Sequence, residues 1–94
     1  MTEGKNRIII FDRQFREDLR WWFRQDKKMA NRILDLIEAT IAEPFTGIGK
    51  PECLKYRESN TWSRRITTEH RLVYRVTDER IDFLQARYHY LSSE

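Results

Sequence analysis

Cysteine is almost missing from this sequence, with Cys53 alone in 94 residues. A single thiol closes no internal disulfide, so the core has to hold the chain together, and such usage suits a reducing cytoplasm. With only two histidines beside that cysteine, the ligands of a structural zinc site are too few. Three glycines and two prolines build no flexible or proline-rich linker, and no repeat or low-complexity tract divides the sequence. The chain therefore reads as one domain over residues 1–94, with 1–6 and 91–94 as flexible tails. No apolar run approaches the roughly 20 residues of a membrane span. The opening Met-Thr-Glu-Gly-Lys-Asn lacks the apolar segment of a signal peptide.

What is present is a modest core and an uneven charge. Hydrophobic residues make up 39% and aromatics 13%, so the three Trp, four Tyr and five Phe bring much of the apolar area. The formal charge is +3, but residues 50–75 hold seven Lys or Arg against three Glu. That segment carries +4 and the remainder −1. A local basic field of this kind favours a polyanion such as nucleic acid, the bland alternative being a solvated charged surface.

The pattern of apolar residues predicts an α+β fold: a short N-terminal strand, then a two-helix antiparallel hairpin packed on a mainly antiparallel sheet. Residues 7–11 (Arg-Ile-Ile-Ile-Phe) read as a buried strand. Asp12 offers an N-cap, and Phe15, Leu19, Trp22 and Phe23 mark one face of a first helix. Asp26 caps a second, along which Met29, Ile33, Leu36, Ile37 and Ile41 recur until Pro44. A loop over 45–52 is punctuated by Gly47, Gly49 and Pro51. Strands are then expected at 54–56, 61–67, 71–76 and 81–90, joined by turns short enough to force antiparallel pairing.

Strand alternation sorts the side chains by face. Trp62, Ile66, Leu72, Tyr74, Val76, Leu84, Ala86 and Tyr88 are expected inward, towards the helices. Ser63, Arg65, Arg71, Val73, Arg75, Gln85, Arg87 and His89 are expected outward. The face away from the helices would thus collect Arg65, Arg71, Arg87 and His89, a candidate RNA surface, beside a loop carrying Lys50, Glu52 and Lys55.

One carboxylate, several arginines and one late histidine are the groups that phosphodiester cleavage recruits. RNA carries its own nucleophile, the 2′-hydroxyl. Glu52, the sole carboxylate of the basic loop, suits a base, or else pairs with Lys50 or Lys55. His89 suits an acid because imidazole titrates near working pH, or else is incidental. Arg65 and Arg71 can fork two bonds to phosphate, or else bridge to Glu58 or Glu69. His70 reads as structural or as an auxiliary contact, and Trp62 as core. Arg16, Arg20 and Arg24 form a stripe on the first helix, read mainly as a solvated face. Trp21, off the apolar stripe, is the candidate for a dimer or partner contact.

The runs Gly47-Ile-Gly-Lys-Pro-Glu52, Trp62-Ser-Arg-Arg-Ile-Thr67, Glu69-His-Arg-Leu-Val-Tyr74 and Arg87-Tyr-His-Tyr90 together make the specific signal. The chain resembles the YoeB-type (Txe) toxins, a branch of the RelE-like toxin–antitoxin ribonucleases, from residue 8 to residue 90. That resemblance implies a RelE-like fold and an endoribonuclease that enters the A site of the 70S ribosome and cuts mRNA there, without metal or other cofactor. It implies Glu52 as general base, His89 as general acid, Arg71 as the phosphate-stabilising arginine and Tyr90 as the closing active-site tyrosine. Lys55 and Arg65 match basic residues lining the RNA site, to which Lys50 and Arg87 add charge. It also implies a homodimer, a YefM-type antitoxin as partner, and operator DNA bound only through the antitoxin complex. Cys53 stands where the family usually has proline, and residues 91–94 extend past the usual closing tyrosine. The rival readings are a non-catalytic RNA- or antitoxin-binding regulator and an RNase that acts without the ribosome.

Overall fold

A computed structural model of the protein describes residues 6–88. Along the chain run β1 (Ile8–Phe11), α1 (Arg13–Gln25), α2 (Lys27–Ala42), β2 (Glu52–Cys53), β3 (Thr61–Arg65), β4 (Arg71–Val76) and β5 (Arg80–Gln85). The strands form one sheet in the order β1-β5-β4-β3-β2. Pairing is antiparallel throughout except for β1, which lies parallel to β5. This is the expected α+β architecture, two helices on a mainly antiparallel sheet.

Asp26 joins the helices. Its backbone N–H donates to Trp22 O at 2.7 Å, ending α1, while its carboxylate accepts from Met29 N at 3.3 Å, starting α2. A joint of one residue leaves the second helix no course but to fold back. Asp12 sits at the N-cap of α1 with no side-chain bond. Its contribution is through the backbone, donating to Phe83 O at 3.0 Å and accepting from Arg16 N at 3.0 Å. The helices and the sheet enclose Phe15, Trp22, Ile33, Leu36, Leu72, Tyr74 and Phe83, all buried. Each such apolar side chain contributes about 1.5–3 kcal/mol by leaving water.

Four expectations are corrected. β1 is one of the two edge strands of the sheet, not a buried strand, and Ile8 is 63% exposed. Phe23 and Ile41 lie at the margins of their helical stripes and stay exposed. Residues 54–56 form no strand. Leu54 N donates to Thr61 O and Arg57 N to Leu54 O, so this segment turns the chain, and the short β2 precedes it at Glu52 and Cys53. In β5 the inward residues are Ile81 and Phe83 rather than Leu84. Tyr74 pairs with Phe83 and Val73 with Gln85, so Leu84 is an extra residue, a bulge that resets the alternation and brings Ala86 inward as expected.

Candidate active site

The site begins with strand register. Glu52 pairs with Ser63, and Arg65 with Arg71, so four side chains share the sheet face that the helices leave open. Arg71 Nη1 donates to Glu52 Oε1 at 2.9 Å and to Ser63 Oγ at 3.1 Å. Ser63 is fully buried, which gives the guanidinium a fixed back rest. The Arg71 side chain is 19% exposed and that of Glu52 62%. An ion pair this open to water contributes little to stability, on the order of 0–1 kcal/mol. Its consequence is geometric: it holds a carboxylate and a guanidinium at one point.

Glu52 therefore pairs with neither Lys50 nor Lys55, and Arg71 with neither Glu58 nor Glu69. Glu58 instead takes Arg75, at 2.7 Å. The Nε and Nη2 of Arg71 make no hydrogen bond among the described residues, so a second edge of the guanidinium is left for an anion. Lys50, Lys55 and Arg65 are exposed, Arg65 as the ladder partner of Arg71. Lys50 has φ 52°, a left-handed backbone that follows the equally left-handed Gly49.

Arg87 is not part of this group. The strand ends at Gln85, alternation lapses, and the Arg87 guanidinium lies 3.9 Å from the centroid of the Trp21 ring on α1. Trp21 is accordingly covered on one face and also meets Trp22 edge-on at 5.0 Å. Tyr88, expected in the core, is 45% exposed and stacks on His70 at 4.9 Å. His70 meets Trp22 edge-on at 5.0 Å as well, which is a packing role. His89 and Tyr90 lie outside the described residues. The chain leading to them is fastened to α1 at Ala86: its N–H donates to Asp18 Oδ2 at 2.8 Å and its carbonyl accepts from Trp22 Nε1 at 2.8 Å. Asp18 is buried.

Sequence reasoning missed Arg64. It is fully buried, and its guanidinium donates to the carbonyls of Ile48 (2.8 Å), Glu43 (2.6 Å) and Thr46 (2.8 Å) and, from Nε, to Tyr74 Oη (3.2 Å). Tyr74 Oη in turn donates to Pro44 O at 2.7 Å. Burial pushes the Tyr74 hydroxyl above its ordinary pKa, and the hydrogen bond and charge of Arg64 pull part of the way back. The signal was available, since Arg64 shares its parity with inward Trp62 and Ile66. Among the described residues no His, Cys, Asp and Glu gather as metal ligands, and Cys53 is exposed.

Residues 11–90 match the family described as YoeB-like toxin of bacterial type II toxin-antitoxin system. The chain belongs to that family. Toxin YoeB of Mycobacterium bovis is 50% identical over 84 residues, 89% of this chain and 99% of that protein. The YoeB dimer of Staphylococcus aureus superimposes with a TM-score of 0.79 at 41% identity, covering 89% of this toxin and 98% of that chain. The YoeB-YefM complex of the same organism gives a TM-score of 0.77 at 40% identity, covering 90% and 99%. The fold is thus the RelE-like α+β fold of these toxins.

Proposed function

We propose that this toxin is a ribosome-dependent endoribonuclease that cleaves mRNA in the A site and so arrests translation. The observation that carries the reading is Glu52 held against Arg71 on the open sheet face of a YoeB-like toxin. Glu52 takes the proton of the 2′-hydroxyl, and the oxygen so released attacks the adjacent phosphorus. Arg71 meets the charge that builds on the phosphorane with its unused edge, so one guanidinium spaces base and phosphate within hydrogen-bond reach. The bond from phosphorus to the 5′ oxygen breaks, and His89 gives that oxygen a proton. The products are a 2′,3′-cyclic phosphate and a 5′-hydroxyl. Tyr90 stacks on a base or bonds the phosphate, and Lys50, Lys55 and Arg65 supply the field that draws in RNA, with Arg87 adding charge from beside Trp21 and not at the site.

No step in this scheme calls on a metal or cofactor. The partners that go with it are mRNA and the 70S ribosome, a YefM-type antitoxin and a second copy of the chain. The dimer and the antitoxin complex of the S. aureus relatives support the last two. Operator DNA is reached through the antitoxin complex, and the compartment is the cytoplasm. Within the described residues no helix is long and apolar enough to cross a membrane. The test is cleavage of mRNA in a purified translation system. The wild type should cut and Glu52→Gln should not; equal cutting by both would remove the base.

A further inference from the structure

Glu52 enters the site from a loop with little structure of its own, and one side chain fixes that loop from inside. Arg64 spends its bonds on the carbonyls of Glu43, Thr46 and Ile48, none of them acidic side chains. A fully buried guanidinium is costly unless its donors are satisfied, and here the donors are satisfied by the backbone that runs from the end of α2 towards Glu52. Its strand neighbours hold the rest of that path. Arg65 N donates to Gly49 O at 2.7 Å, and Ser63 is the ladder partner of Glu52. The glycines leave no slack. A Cβ on Gly47 would stand 3.3 Å from Arg64 Nη1, and one on Gly49 3.1 Å from Arg64 Cβ, both at positive φ.

We propose that Arg64 is a positioning residue for cleavage: it sets the loop over 43–49 and thereby the place of Glu52 relative to Arg71. The proposal rests on Glu52 being the base. Arg64 itself, buried behind the sheet, touches no substrate. Lysine keeps the charge but offers a single ammonium where Arg64 reaches four acceptors in a planar fork. Displacing a reacting group by about 1 Å costs on the order of 10²-fold in rate. A residue that merely stabilised the fold would lower the amount of active protein and leave the turnover of folded molecules unchanged.

The experiment measures ribosome-bound mRNA cleavage for wild type, Arg64→Lys, Arg64→Met, Tyr74→Phe and Glu52→Gln at a temperature where each variant is folded by circular dichroism. The expected result is a fall in kcat of about 10²-fold for Arg64→Lys, more for Arg64→Met and less for Tyr74→Phe, with KM unchanged. Folded Arg64→Lys turning over at the wild-type kcat would overturn the proposal. Should both Arg64 variants fail to fold, Tyr74→Phe decides alone: it removes only the hydroxyl that receives Arg64 Nε and reaches Pro44. A wild-type kcat in that variant would then overturn the proposal. Loss of cleavage in Glu52→Gln beside full activity in the Arg64 and Tyr74 variants would sink this positioning role alone. Full activity in Glu52→Gln would sink the assignment of the base, and this proposal with it.

Discussion

Arg71 divides one guanidinium between a carboxylate, a buried serine and an edge that makes no hydrogen bond among the described residues, and the two activity predictions at the scale of single residues follow from that division. Glu52→Gln should lower cleavage by about 10²–10⁴-fold, with a melting temperature close to wild type because the exposed ion pair holds so little stability. Arg71→Lys should cost about 10²–10³-fold, since lysine cannot fork to phosphate while holding Glu52. Tyr74 gives a pH prediction. Its pKa is raised in the fold, so as pH climbs past about 10 the unfolded chain loses its proton first and stability falls until the folded value is passed. Denaturant titrations at increasing pH should therefore show a shallower decline for Tyr74→Phe than for wild type across that window. The shared face of Arg65 and Arg71 was legible in the sequence because strand alternation marks it, and Glu52 stood out as the sole carboxylate of the basic loop. Arg64 was passed over although its parity with Trp62 and Ile66 points inward, because a buried arginine bonded to carbonyls looks like surface charge in a string of letters.

Between elements, the least legible junctions were those where the chain breaks its own rhythm. Arg71–Val76 emerged with the bounds its alternation implied, since nothing interrupts a six-residue central strand. β5 carries a bulge at Leu84 and stops at Gln85, so the same rule placed Leu84, Arg87 and Tyr88 wrongly. The segment past the bulge is held from the side by Asp18 and Trp22 instead. Asp18→Ala should cost about 1–3 kcal/mol in chemical denaturation, the penalty of leaving the Ala86 N–H without its acceptor. Gly49→Ala should also destabilise by about 1–3 kcal/mol, since its φ is +81° and the new Cβ would fall 2.9 Å from Leu36 Cδ2. A wild-type denaturation midpoint in either variant would contradict the packing described for that junction.

At the scale of the whole molecule, helices and sheet divide the labour. The helix side supplies the core and fastens the chain at Ala86, and the open sheet face gathers Glu52, Ser63, Arg65 and Arg71. The overall α+β plan was legible because 3.6-residue and two-residue periods are well separated along the chain. The parallel placement of β1 at the sheet edge was not, because pairing partners far apart in sequence leave no local trace. The measurement that bears most directly on the account is primer extension on mRNA incubated with purified 70S ribosomes and either wild type, Glu52→Gln or His89→Gln. The account predicts ribosome-dependent 5′-hydroxyl ends with wild type, unchanged by chelator and lost on 2′-deoxy substitution at the cut. It predicts almost none with either variant. Cleavage that persists in both variants, or at a 2′-deoxy position, would contradict it.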